Sequence, residues 1–382
     1  MAGKQPPKKQ SKSPAAPDQP AGANVFHTLA DYLSTVTGKS DPKDKSKLVL
    51  PSAPVIVGMG EDGEPMLRVP GVFSTRCETL DAAIGIGGVP QSRLTVITGG
   101  EGAGKTTICG NLCRSAQEQD GIPIYIDNEF KVDLDYFQDK LGVDVSKMLV
   151  TQPSTIEDSF QILNELLMKV FRDYPGRPVL GILDSLNATK SEHEYEENGQ
   201  ADFGKANQAG LGSGARYQSA NLPKLLRQIN QKPVALVFIS QPRDNIGTPG
   251  RNLVAGGNAP KFYAALAIEL YRKGFWEEAG KKIGNVIIGK CFKNQVAKPF
   301  AEAEIPMRFG FGVDYNKSLL DQAVKQLLVD FSGSWYSMES DDPANPIKWQ
   351  GLKGWHGLTE TRPELLEYLR DKVREGYRRY TK

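Results

Sequence analysis

The stretch TVITGGEGAGKTTICGNL, residues 95–112, decides how the rest of the chain is read. A short apolar run, Thr95–Thr98, opens into a loop with glycine at 99, 100, 102 and 104, followed by Lys105, Thr106 and Thr107. Gly99–Thr106 fits the pattern G-x-x-x-x-G-K-T, in which glycines let successive backbone amides turn inward around phosphate oxygens. The segment Gly99, Gly100, Glu101, Gly102, Ala103, Gly104 would supply that cradle, and the helix that follows adds its positive end. Lys105 is suited to the β- and γ-oxygens, the Thr106 hydroxyl to a magnesium ion, and Thr107 continues the site into the helix. The position between an apolar run and a helical pattern is the context this mechanism needs.

A phosphate loop needs a further carboxylate for the metal at the end of a neighbouring strand. VLGILDS supplies Asp184, expected to hold Mg²⁺ together with Thr106. IYIDNEF ends another apolar run with Asp127 and Glu129, and a carboxylate at the C-terminal end of a parallel strand faces the ligand crevice. Glu129 is therefore the expected general base for an attacking water.

Working outward from the loop, RLTVITG, IPIYIDNEF, PVLGILDSL, PVALVFISQ and AIELYRKG alternate with helical patterns from Arg68 to about Gly312. That rhythm predicts an α/β fold with a mostly parallel sheet covered by helices. Residues 313–382 carry two helical patterns, NKSLLDQAVKQLLVDF and RPELLEYLRDKVREGY, around a Trp-rich middle, and read as a small C-terminal α/β domain. Residues 1–22, rich in Pro, Lys, Gln and Ser, read as a disordered basic tail. In residues 23–65, Val25, Phe26, Leu29, Leu33 and Val36 fall at helical spacing between Asn24 and Gly38, and a charged linker follows. A short amphipathic helix with no core beside it is expected to pack on a neighbouring subunit.

The 382 residues carry a net charge of only +2, so a polyanionic partner must be held by a local surface. No apolar run approaches the roughly 20 residues of a membrane span, and no signal-peptide pattern opens the chain. The four cysteines, Cys77, Cys109, Cys113 and Cys291, match neither a disulfide framework nor metal spacing and read as small buried hydrophobes of a reducing cytoplasm.

Several motifs together resemble the RecA family of recombinases: STRCETLDAAIGIGGVPQSRLTVITGGEGAGKTT (74–107), YIDNEFKVDLDYFQDKLGVDVSKMLVTQPST (125–155), LVFISQPRDNIG, AGGNAPKFYAALAIELYRKG and KCFKNQVAKPFAEAEIPMRFGFGVDY. The likeness runs from about residue 66 to the C-terminus. It implies a RecA-type P-loop NTPase core over 66–312 and ATP as the nucleotide. It places Glu129 at the water-activating glutamate, and Asp133 and Tyr136 at the adenine contacts. Gln241 falls at the glutamine that relays γ-phosphate state to the adjoining DNA loop, Phe262 at the subunit interface, and Lys293 at a lysine that reaches the neighbour's ATP.

Two stretches are expected to face DNA. Glu197–Gly214 is polar, Gly-rich and long for a connection, and Arg243–Asn258 is the second loop. Arg216, Arg243 and Arg251 are candidates for backbone phosphate, with Ser219 beside the first loop, Ile246 as a wedge between bases, and Gly256, Gly257 and Asn258 as an anion-binding concavity. The chain also departs from the family's bacterial members. A Lys-Asn-Lys element reads KNQ, which leaves Gln295 at the second lysine; the second loop is a little shorter; Pro223 replaces a basic residue; and the tail KVREGYRRYTK is basic. These departures point to a divergent or phage-encoded, UvsX-like branch in a bacterial or host cytoplasm.

The expected function is ATP-dependent homologous pairing and strand exchange in DNA recombination, repair and the response to DNA damage. It would be carried out by a helical filament of subunits on single-stranded DNA acting on homologous duplex DNA, with loading or single-strand-binding proteins as possible helpers. The rivals are a hexameric helicase on the same core, and an ATP-switched DNA-binding filament without strand exchange.

Overall fold

A computed structural model describes residues 57–59, 65–67, 69–186, 213–243, 253–254, 259–278, 280–340 and 345–377. The expected tail and the helix near Asn24–Gly38 lie outside the described residues.

The centre is a nine-stranded sheet. Its strands, in chain order, are β1 (Arg93–Gly99), β2 (Ile122–Asp127), β3 (Leu149–Thr151), β4 (Val179–Asp184), β5 (Val234–Ser240), β6 (Leu266–Glu278), β7 (Lys281–Asn294), β8 (Glu302–Arg308) and β9 (Gly312–Val313). Their spatial order is β9-β8-β7-β6-β1-β5-β4-β2-β3. From β6 across to β3 every neighbouring pair is parallel. From β6 to β9 every pair is antiparallel, built by one long hairpin and its continuation. Each apolar run singled out in the sequence forms a strand, and β3 and the antiparallel wing complete the sheet.

Both faces of the parallel half are covered, which is why its strands read as continuous apolar runs. In β1, Ile97 joins the core on one face while Leu94 and Val96 join the core on the other. Helix α2 (Lys105–Glu118), after α1 (Glu78–Ile84), packs Ile108, Leu112, Cys109 and Cys113 against the first face. Helices α4 (Ile156–Asp173) and α5 (Ser213–Ile229) cover the second face with Leu163, Leu167, Leu222 and Leu225; the short α3 (Leu134–Asp139) lies between α2 and α4 in sequence. All four cysteines are buried and free. Of the expected first loop, residues 197–212 lie outside the described residues, and Ser213 and Gly214 belong to the first turn of α5.

After the five-residue α6 (Ala259–Tyr263) and the antiparallel wing, the C-terminal part contains α7 (Tyr315–Lys325), β10 (Asp330–Ser332), β11 (Trp335–Met338), β12 (Ile347–Gln350), α8 (Gly351–Thr361) and α9 (Pro363–Glu375). The helical pattern read through Phe331 stops at Lys325. Leu327 takes a left-handed φ of 59°, and Phe331 instead joins an antiparallel three-stranded sheet. The Trp-rich middle is the core of this part: Trp349 stacks on Tyr336 at 5.7 Å and meets Trp355 at 5.1 Å. A partly buried ion pair ties α9 to α1. The Arg374 guanidinium donates from Nη2 at 2.5 Å to Oε1 of Glu78, a fully buried carboxylate that also accepts the Tyr315 hydroxyl at 3.1 Å.

Candidate functional site

The carboxyl ends of β1, β5, β4 and β2 are side by side in the sheet, so everything that follows them in the chain is gathered along one rim. Gly99 ends β1 opposite Leu270 of β6, and a Cβ at Gly99 would stand 2.5 Å from the Leu270 carbonyl oxygen. Gly104 has φ of 83°, and a Cβ there would strike the Met307 methyl at 2.2 Å. Gly99 therefore demands glycine for space, since the obstacle is backbone, and Gly104 demands it for its left-handed conformation. Helix α2 begins at Lys105 with no side chain capping its first turn, so its amide dipoles remain directed at the loop. The Lys105 ammonium donates to the carbonyls of Gly99 and Gly100, each at 2.8 Å. Burial lowers its pKa, opposed by the charges of Asp184, Glu129 and Glu101.

Asp184, at the end of β4, is buried and accepts the Tyr125 hydroxyl at 2.7 Å and the Thr106 hydroxyl at 3.3 Å, both on Oδ2. Burial pushes its carboxyl up to about 6, with the Tyr125 hydrogen bond opposing and the charges of Glu129 and Asp127 adding to the rise. A costly buried carboxylate beside a threonine hydroxyl at a phosphate loop is a fitting donor pair for a small hard cation. Among the described residues there is no cluster of three His, Cys, Asp or Glu side chains that could hold a metal by itself.

Asp127, the cross-strand neighbour of Asp184, is spent on a turn. Its oxygens accept the Glu129 amide at 3.2 Å, the Val132 amide at 3.1 Å and the Gln152 side chain at 3.0 Å. This turn holds Phe130 at a φ of 58° and swings Glu129 back over the rim. There Glu129 Oε1 accepts the Ser185 hydroxyl at 2.5 Å and the Gln241 amide nitrogen at 3.0 Å, while Oε2 lies 3.2 Å from the Lys131 ammonium. Burial opposes the charge on Glu129, but the Ser185 hydrogen bond and then Lys131 outweigh it and hold the carboxyl below its usual range. Gln241 follows β5 and leads directly into Pro242–Arg243, which pairs antiparallel with Leu253–Val254. The second loop is thus rooted in a small hairpin whose first strand begins one residue after the side chain bonded to Glu129.

A cavity of about 310 Å³ adjoins the loop, lined by Thr107, Tyr136, Asn285, Met307, Arg308 and Phe309 among others. The hydroxyls of Thr107 and Tyr136 are 3.3 Å apart. Asn285 contributes to this lining, and its Oδ1 is buried without a hydrogen-bond partner among the described residues. Tyr136 was anticipated from the sequence; Asn285, Met307 and Phe309 were not. They arrive from the antiparallel wing, where the Gly-rich turn RFGFG (308–312) contains Phe309 and adjoins Met307, and nothing local in the sequence marks Asn285. Asp133 is exposed and caps α3, accepting the Tyr136 amide at 2.9 Å.

The chain belongs to the RecA family. The RecA N-terminal domain model matches residues 55–314. Among curated relatives, Protein RecA of Nautilia profundicola is 33% identical over 83% of this chain and 85% of its own length. Protein RecA of Lactobacillus acidophilus is 32% identical over 84% and 83%, and Protein RecA 2 of Myxococcus xanthus is 33% identical over 84% and 85%. The mixed α/β core with its largely parallel sheet, followed by a small C-terminal α/β part, is the architecture expected of that family.

Phe262 is 75% exposed on α6. Lys293 donates to the carbonyls of Lys261 at 2.9 Å and Phe262 at 2.7 Å, so its ammonium sits at the end of that same helix. The exposed Gln295 donates its backbone amide to Ala265 at 2.8 Å. Arg216 and Ser219 are exposed one turn apart on α5, where the Ser219 hydroxyl donates to the Ala215 carbonyl at 2.8 Å. Pro223 lies inside the same helix. Arg243 is described in its backbone only, and Ile246, Arg251, Gly256, Gly257 and Asn258 lie outside the described residues. No helix among the described residues is long and apolar enough to cross a membrane.

Proposed function

We propose that the protein is an ATP-dependent recombinase that assembles as a helical filament on single-stranded DNA and pairs that strand with homologous duplex. The observation that carries this reading is the Gln241–Glu129 hydrogen bond of 3.0 Å. It joins the carboxylate suited to activating water with the root of a loop suited to DNA, so a change at the phosphate end can be felt at the polynucleotide.

In this reading the loop amides and Lys105 bind the phosphates, Tyr136 and the Asn285 wall receive the base and ribose, and Asp133 borders them. Thr106 and Asp184 would hold Mg²⁺, which supplies charge neutralisation on the phosphoryl oxygens. Glu129 takes a proton from water. Gln241 trades its bond to Glu129 against the terminal phosphate and shifts the hairpin at Pro242–Arg243. Arg216, Ser219, Arg243 and Arg251 grip the backbone, with Ile246 between bases and Gly256, Gly257 and Asn258 around a phosphate.

Lys293 and the exposed Phe262 share one surface, which suits a subunit interface: Phe262 would pack on the next subunit and Lys293 would complete that subunit's ATP site. We place the working divisions at 1–22 (tail), 23–65 (oligomerisation helix and linker), 66–312 (ATPase core) and 313–382 (C-terminal domain). The test is phosphate release with and without single-stranded DNA, together with strand exchange between a single strand and a homologous duplex. DNA-stimulated hydrolysis with strand exchange is expected. Processive unwinding without exchange would favour the helicase, and DNA clamping without turnover would favour the non-enzymatic filament.

A further inference from the structure

Lys131 has no part in the mechanism above, yet it stands at its centre. The turn that carries it is fixed at both ends by Asp127, through the amides of Glu129 and Val132. Its side chain is 68% exposed, and its ammonium is 3.2 Å from Glu129 Oε2. Since Glu129 Oε1 already accepts Ser185 and Gln241, both carboxylate oxygens are engaged. A carboxylate bonded on both oxygens, and held below its usual range, is a weak base for water.

The position of Lys131 is further constrained by charge. The carboxylates acting on it are Glu129, Glu101 and Asp184, and the same three act on Lys105. Both ammonium groups are therefore within electrostatic reach of the same acidic patch: Glu101 lies in the phosphate loop, Asp184 accepts the Thr106 hydroxyl, and Glu129 is 3.2 Å from Lys131. Lys105 reaches that patch from the first residue of α2, half-buried against the Gly99 and Gly100 carbonyls. Lys131 reaches it from outside, on a flexible stem in solvent. An exposed lysine paired with a single carboxylate exchanges partners at little cost, and a terminal phosphate group, with more charge and three acceptor oxygens, outcompetes a monoanionic carboxylate.

We propose that Lys131 is a second phosphate-binding cation of the ATP site, supplied by the same subunit, which leaves Glu129 for the terminal phosphate of a bound nucleoside triphosphate and so frees Glu129 to accept a proton from water. The proposal rests on the reading of the site as an ATPase. It makes Lys131 a sensor of the third phosphate: a diphosphate leaves the Lys131–Glu129 pair closed, whereas a triphosphate opens it. It also couples two events that must not be separated, since the base is released only when its substrate is in place.

The test compares the parent protein with Lys131→Ala, Lys131→Arg and Lys105→Ala, measuring affinity for ADP and for a non-hydrolysable ATP analogue, and the rate of phosphate release on single-stranded DNA. Lys131→Ala should bind the analogue about tenfold more weakly while its ADP affinity stays within twofold, because one charge-assisted contact to the third phosphate is lost. Lys131→Arg should recover most of the preference for triphosphate. An equal melting temperature of the nucleotide-free variants checks that the exposed substitution leaves the fold intact. An unchanged triphosphate preference in Lys131→Ala, or faster hydrolysis at unchanged affinity, would overturn the proposal and make the ion pair a mere restraint on Glu129. The underlying ATPase reading fails separately: Lys105→Ala would then bind both nucleotides as the parent does.

Discussion

Asp184→Asn separates what the site needs for metal from what the fold can tolerate. The folded protein holds the Asp184 proton up to about pH 6, whereas a free aspartate releases it near 3.8. Below that lower value both folded and unfolded chains carry the proton and the residue costs nothing. Between the two values the folded chain keeps the proton longer, so stability falls as pH rises, and above about pH 6 the full penalty stands. The gap of about 2 units, at about 1.4 kcal/mol each, puts the penalty near 3 kcal/mol at most. Asparagine is neutral, matches the shape and still accepts the hydroxyls of Tyr125 and Thr106. Urea unfolding of the nucleotide-free, magnesium-free proteins should thus show little difference near about pH 3 and a variant more stable by up to about 3 kcal/mol above pH 6. The same variant should lose the thermal stabilisation that magnesium and ATP confer on the parent. A stability difference that does not vary with pH, or a variant less stable than the parent at pH 7.5, would refute the account of Asp184 as a carboxylate buried at a cost.

Four further outcomes can be checked directly. Glu129→Gln keeps an acceptor for Ser185 but removes the base, so ATP and DNA binding should persist while hydrolysis slows by about 10²-fold or more, and filaments on DNA should last longer under the microscope. Arg216→Ala should weaken single-strand binding regardless of sequence and reduce the slope of log affinity against log salt by about one unit, measured by fluorescence titration. Lys293→Ala should leave monomer stability near the parent's but abolish DNA-stimulated phosphate release, because its ammonium is held on the surface that also bears Phe262; parental turnover would remove it from the intersubunit site. Arg374→Ala strands the fully buried Glu78 carboxylate without its cation and should cost about 3–5 kcal/mol, seen as early loss of the C-terminal part in thermal unfolding, whereas Arg374→Met paired with Glu78→Leu should recover most of it.

Much of the site was legible because its chemistry is local. Gly99–Thr106 declares itself through glycine spacing and a following Lys-Thr, and Asp184 and Glu129 follow apolar runs, so strand ends could be located without knowing the strand order. The parallel strands were legible too, since burial on both faces leaves continuous apolar runs. The sequence also carried a false helical signal through Phe331, where Leu, Val and Phe recur at helical spacing but Leu327 turns left-handed and Phe331 enters a strand.

What only the tertiary structure decided are the relations between distant residues. The hydrogen bond between Glu129 and Gln241 spans 112 positions, and it exists because β2 and β5 flank the same neighbour, β4, in the sheet. The wall of Asn285, Met307 and Phe309 reaches the phosphate loop because β7 and β8 fold back antiparallel beside β6, an order that no local periodicity encodes. Glu78, an acid at the start of α1, is buried and meets its cation only because α9 returns Arg374 to it from almost 300 residues away. Spacing along a chain fixes the dihedral preferences and the apolar face of each segment; which segments meet depends on burying those faces together, and that is a property of the whole fold.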